Sequence, residues 1–213
     1  GKTKTYSVYK ETEKYSEPLK KASLVFDALK NSEGLAEVLY TLDDFRVKGT
    51  FFLNGEFIRR YPHKAKQIAF SGNECASMFF SCADLLENNF IIDKDFIQRG
   101  LARNEDEFFT ATGKELSLYW HAPFYHSNQL MKNAGAEAGY NYVEAFNKFN
   151  DRITFEESKK NGNEYLDASS LVDSLAENLY DGIVIPVSIG NMDGTRRDYL
   201  YEKLDLLISS ILE

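Results

Sequence analysis

Apolar residues along this chain fall into short runs and helical stripes that alternate, with turn formers between them. Leu24, Val25 and Phe26 form a continuous apolar run bounded by polar residues, which predicts a buried strand ending on a lone carboxylate, Asp27. Behind the capping side chains of Asn31 and Ser32, Leu35, Val38, Leu39 and Leu42 recur at i, i+3, i+4 and i+7, predicting an amphipathic helix to about Phe45. A second buried strand is predicted over 47–53, followed by a turn at Asn54-Gly55 and helical turns from Glu56 to Phe70 around Pro62. Gly72 supplies the stop.

The second half repeats the rhythm less cleanly. Asp93 to Thr112 reads as a helix with Phe96, Ile97, Leu101, Phe108 and Phe109 on its apolar side, and Gly113 ends it. Leu118 to Trp120 is a short strand, Gln129 to Ala138 a helix, and Tyr140 to Ala145 the next strand. The polar stretch from Asp151 to Asp167, with Asn-Gly-Asn inside it, reads as a surface excursion. Leu171, Leu175 and Leu179 mark a helix, Ile183 to Val187 a buried strand, and Tyr199 to Leu212 a final amphipathic helix. Strand and helix alternating at this spacing predict an α/β fold with a parallel sheet. At the C-terminal strand ends of such a barrel side chains face the site, which is where Asp27 falls.

Composition narrows the partners. With 213 residues, 43% of them hydrophobic, the chain suffices for one domain over 21–213. Residues 1–20 are polar, with alternation around Tyr6, Val8 and Tyr9 that suits an edge strand or a connection to an upstream domain. A formal charge of -8 disfavours nucleic acid and anionic membrane, while an uncharged substrate such as a glycan remains compatible. No apolar run reaches the roughly 20 residues of a transmembrane helix. No signal peptide is present, and a first residue of Gly1 suggests a processed or trimmed chain. Cys75 and Cys82 are read as free thiols, with a disulfide or a shared soft metal as the alternatives.

Several segments together resemble the NodB homology domain of polysaccharide deacetylases, carbohydrate esterase family 4. LVFDAL stands where that family has Thr-Phe-Asp-Asp-Gly, KGTFFLNGEFIRRYP matches its second strand and turn, and GNECASMFFSCADL replaces its His-x-x-x-His segment. YWHAPFY is similar to the Arg-x-Pro-Tyr segment, AGAEAGYNYVEA to the next strand, and the stretch from Gly182 to Ile208 to the terminal strand and helix. The resemblance implies a distorted (β/α) barrel of seven or so mostly parallel strands, with its groove at their C-terminal ends. It also implies an exported protein, periplasmic, at the cell surface or extracellular, acting on a glycan containing N-acetyl sugars.

The same resemblance implies a zinc site that this sequence has lost. The family's metal ligands fall on Ala28, Met78 and Cys82, of which alanine has no donor atom and methionine offers only a soft thioether. The base position is kept as Asp27, the Arg orienting it becomes His121, and the general-acid His becomes Ser188. The oxyanion donor, a backbone N–H, maps to Phe124. Losing a general acid alone costs about 10²- to 10⁴-fold in rate. The expectation is therefore a catalytically inactive carbohydrate-binding or scaffolding module without a cofactor, with Phe80, Trp120, Phe124 and Tyr125 as groove aromatics. Asp27 itself is expected to hydrogen-bond to backbone.

The alternative is an active hydrolase on non-peptide carbon–nitrogen bonds, deacetylating an N-acetylated glycan with an altered metal site. Met78 and Cys82, four apart, would then converge on one side of a helical turn and hold a softer metal. If the strand ends still converge, restoring Asp at position 28 and His at 78 and 82 would recreate zinc affinity.

Overall fold

The computed structural model describes residues 21–87, 91–162, 164–191 and 196–213. The expectations for residues 1–20 lie outside the described residues. Six strands form one sheet: β1 (Ala22–Ala28), β2 (Thr50–Leu53), β3 (Glu74–Ser77), β4 (Tyr119–Trp120), β5 (Asn141–Tyr142) and β6 (Ile183–Ser188). Every pairing is parallel, in the order β5-β4-β3-β2-β1-β6. Where seven or so strands were expected, the described residues hold six. The strand expected over 140–145 shortens to β5, and irregular backbone continues from it: Val143 N donates to Trp120 O at 2.8 Å, and Phe146 N to Val184 O at 2.8 Å. Three residues after leaving β5's neighbour, the chain is thus bonded to β6, and both edges of the curled sheet are joined.

Eight α-helices are described: α1 (Leu35–Asp44), α2 (Gly55–Arg60), α3 (Pro62–Ala69), α4 (Lys94–Thr112), α5 (Gln129–Glu137), α6 (Phe155–Asn161), α7 (Ala168–Ala176) and α8 (Leu204–Leu212). None is long and apolar enough to cross a membrane. The helical stretch expected over 56–70 is broken at Tyr61, because Pro62 has no N–H to continue a helix and instead opens α3. Asn54 caps α2 by accepting from Glu56 N, and Asp93 caps α4 by accepting from Phe96 N. Gly113, at φ 71°, closes α4 in the left-handed conformation that glycine takes without a Cβ clash.

Strand pleating sorts the core into two layers. Phe26, Ala28, Phe51, Leu53 and Cys75 face outward and pack with Leu35, Val38 and Leu42 of α1 and with α7 and α8. Val25, Phe52 and Ala76 instead pack with Leu29 and Met78 inside the barrel. Asp27 shares their side of β1, so its carboxylate is carried to the inner face at the strand's C-terminal end.

Candidate functional site

Asp27 is buried and meets three side chains from two segments, the turn after β4 and the irregular stretch after β5. His121, just beyond β4 and with no exposed surface, places Nε2 3.2 Å from Oδ1. Tyr125 donates its hydroxyl to the same oxygen at 3.2 Å. Arg152 brings Nη1 to 3.4 Å from Oδ2 and donates through Nη2 to Asn147 Oδ1 at 2.6 Å. The expected backbone partners of this carboxylate are thus replaced by side chains. The second ring nitrogen of His121 lies 2.9 Å from the carbonyl oxygen of Ala122, which only accepts, so Nδ1 carries a hydrogen. A further proton must then lie between Nε2 and Asp27 for their contact to be a hydrogen bond.

These donors form a continuous stack. The rings of His121 and Tyr125 are parallel within 8° at 3.9 Å, Phe52 lies 4.4 Å from the imidazole on the inner side, and the Arg152 guanidinium covers Tyr125 at 4.6 Å. Burial, with Asp27 beside it, pushes the Tyr125 phenol well above its ordinary range, so it remains a donor. The turn Pro123–Tyr125 that delivers it holds Phe124 at φ 60° and Tyr125 at φ 61°. For non-glycine residues this region costs roughly 1–2 kcal/mol each, and such strain persists only where surroundings over-determine it. Tyr125, stacked on both faces and bonded at its tip, is such a case.

A second buried carboxylate lies next to the first. Asp151 has no exposed surface, accepts from Ser188 Oγ at 2.8 Å, and receives the backbone N–H groups of Ser188 at 3.2 Å and Leu200 at 3.3 Å. Burial raises its carboxyl above the usual range, opposed by the Ser188 hydrogen bond and by the charges of Arg152 and Arg196. Arg196 in turn donates to the carbonyls of Ile153 and Leu166, each at 2.6 Å, and to that of Asp198 at 3.1 Å. The stretch expected to be a solvated excursion therefore begins with two residues of the site and is clamped at both ends, and α6 lies within it. Sequence reasoning passed over Asp151 and Arg152 because no periodicity marks them. The one local hint is an acid–base pair shortly after Phe146 and Phe149, which pack on the main core.

The positions implied for a metal do not suit one. Ala28 is fully buried in the outer, apolar layer, and Met78 is buried among Val25, Leu29, Phe52 and Ala76. Met78 and Cys82 lie in non-helical backbone after β3, not on a helical turn, although both belong to the same inner cluster. The Cys82 thiol is hydrogen-bonded to Glu56, and burial first, then Glu56, pushes it up to about 11. With no metal beside it the thiol therefore stays protonated at neutral pH. Among the described residues no three His, Cys, Asp or Glu side chains are grouped as a metal site requires.

The groove aromatics are placed differently from expectation as well. Trp120 is fully buried, packed on Gly135 where a Cβ would come within 2.4 Å of its Nε1. Tyr125 is inside the stack, and Phe80 packs between Phe79, Phe96 and the Arg103 guanidinium. Phe124 alone of the four lines the pocket over Asp27, with Lys30, Asn31, Met78, Arg152, Ser188 and Asn191 around it. That pocket holds only about 20 Å³, room for a water or two and not for a sugar ring.

With the barrel and its strand-end carboxylate in view, the comparisons define the class. The family described as polysaccharide deacetylase matches residues 14–143, and the chain belongs to that family. Peptidoglycan-N-acetylmuramic acid deacetylase PdaA of Bacillus subtilis is 31% identical over 100 residues, covering 47% of this chain and 36% of that protein. Among solved structures, a CE4 family pseudoenzyme from Bacillus anthracis superposes with a TM-score of 0.70 at 16% identity, over 91% of this chain and 60% of that one. A mutant of it described as having restored enzymatic activity gives a TM-score of 0.68 at 17% identity, over 91% and 62%. The chain spans about a third of PdaA and three-fifths of the pseudoenzyme. These structures establish the NodB-type distorted barrel.

Proposed function

We propose that this chain is a non-hydrolysing polysaccharide deacetylase homologue, an exported module that contacts an N-acetylated glycan without releasing acetate. The observation that carries the reading is the occupation of Asp27. A carboxylate already accepting from His121, Tyr125 and Arg152 keeps at most one lone-pair position, on Oδ2, for a proton from an attacking water. At the general-acid position Ser188 donates its hydroxyl to Asp151 and has no titrating proton for a leaving amine. The side chains at 28, 78 and 82 supply no hard ligand for the ion that would activate water. PdaA's peptidoglycan substrate supports both a glycan partner and an exported location. Contact with the sugar falls on the pocket's rim, at Lys30, Asn31, Phe124 and Asn191, because the interior is filled by the protein itself.

The test pairs two measurements on the same sample. Acetate release from N-acetylglucosamine oligomers and peptidoglycan fragments, with zinc or cobalt added, is expected to match the protein-free control. Titration calorimetry with the same glycans is expected to show binding. Acetate release above control overturns the non-hydrolysing reading, and the absence of binding to every glycan overturns the module.

A further inference from the structure

Three consecutive residues tie the stretch after β5 to three different parts of the barrel. Asp151 accepts from Ser188 Oγ and from the backbone N–H of Leu200, Arg152 reaches Asp27 Oδ2, and the carbonyl of Ile153 accepts from Arg196 Nη1 at 2.6 Å. These residues lie in irregular backbone between β5 and α6, where no ladder of strand hydrogen bonds fixes them. The place from which Arg152 reaches the carboxylate therefore depends on what holds its two neighbours.

Arg196 acts on both neighbours. Its side chain has no exposed surface, and its guanidinium lies 4.6 Å from the Tyr165 ring. Besides Ile153 it donates to the carbonyls of Leu166 at 2.6 Å and Asp198 at 3.1 Å, while Asp198 Oδ1 stands 3.8 Å from Nη2, beyond hydrogen-bond range. A planar fork of donors can bridge both ends of the segment 153–166 in this way, which a compact ammonium does less well. On the other side of Arg152, the charge of Arg196 favours the ionised form of Asp151. Each of these donors ends on a carbonyl and none on Asp27, so any influence of Arg196 on the pocket passes through residues 151–153.

From this geometry we infer that Arg196 is a positioning residue for the Arg152–Asp27 pair. By holding the Ile153 carbonyl it fixes the backbone from which the Arg152 guanidinium is laid on Tyr125 and against Oδ2. Without it the chain stays folded but Arg152 leaves the carboxylate, and the pocket that the two residues line together loosens.

The experiment is a set of mutant cycles followed by urea unfolding. Arg196→Met and Asp27→Asn are combined in the native chain and again in an Arg152→Met background. In the native chain the pair is expected to be non-additive by at least about threefold in the unfolding equilibrium constant, and in the Arg152→Met background additive. A clamp that merely stabilises the fold would lower the midpoint and leave the effects additive in both. Additivity in the native chain, or the same coupling in both backgrounds, overturns the proposal. Should Arg196→Met fail to fold, Arg196→Lys keeps the buried charge without the planar fork, and the Arg152 guanidinium is followed by nitrogen-15 NMR, assigned by its loss in Arg152→Met. Held by Asp27 and Asn147, its Nη groups are expected to rotate slowly in the native chain and to lose that slowing in Arg196→Lys. Slow rotation in both overturns the proposal. Neither measurement involves a glycan or acetate, so this inference and the proposed function stand or fall separately.

Discussion

Arg152 Nη1 and Asp27 Oδ2 meet at 3.4 Å across 125 positions of sequence, joining the irregular segment after β5 to β1, next to the far edge of the sheet. The position at which the family resemblance implies an orienting arginine is occupied here by His121. A guanidinium nonetheless reaches the same carboxylate, from another loop. With Tyr125 and His121 on its other oxygen, Asp27 ties three C-terminal strand-end segments together.

Replacing Asp27 with alanine is therefore expected to destabilise the fold by about 3–5 kcal/mol, because buried donors on His121, Tyr125 and Arg152 lose their shared acceptor. Urea unfolding of the variant checks this. A change under about 0.5 kcal/mol would show that the carboxylate is held for chemistry and not for structure.

Asp151 gives stability a defined pH dependence. Burial raises its folded pKa above the ordinary 3.8, so the folded chain keeps a proton that the unfolded chain has released. The stability from this group is complete at acid pH and declines as pH rises from about 4 through the raised value. The stability difference between the native chain and Asp151→Asn should shrink over that window, measured as urea midpoints at a series of pH values. A difference independent of pH would refute the assignment.

Cys82 is expected to react slowly with iodoacetamide at pH 8, since its thiol is pushed up to about 11 by burial and by Glu56. Glu56→Gln removes the hydrogen-bonded charge and should speed alkylation at fixed pH several-fold, read by mass spectrometry. Cys75, raised to about 12 chiefly by burial, should react only when the chain unfolds. Equal rates for Cys82 with and without the Glu56 carboxylate would contradict the contact.

Ala28 corrects the simplest route back to a metal. The expectation that Asp at 28 would join His at 78 and 82 assumed that strand end faces the pocket. Ala28 packs in the outer layer, so Ala28→Asp would bury a carboxylate among apolar side chains at a cost of several kcal/mol unless it neutralises.

By itself the sequence determined the framework. The apolar runs at 24–26, 47–53 and 183–187 and the helical stripes at 35–42 and 93–112 placed the strands and helices, because pleat and helix periods are local properties of backbone geometry. It also identified Asp27 as a strand-end carboxylate and, through the family resemblance, implied that the ligand positions had become Ala28, Met78 and Cys82. Only the tertiary structure decided what surrounds that carboxylate. Trp120 turned inward because Gly135 leaves it space, Tyr125 became the centre of a stack, and Asp151 and Arg152 came in from a stretch with no periodic signal. Contacts spanning more than ninety positions depend on how the sheet curls and where its edges join, and no local pattern records that.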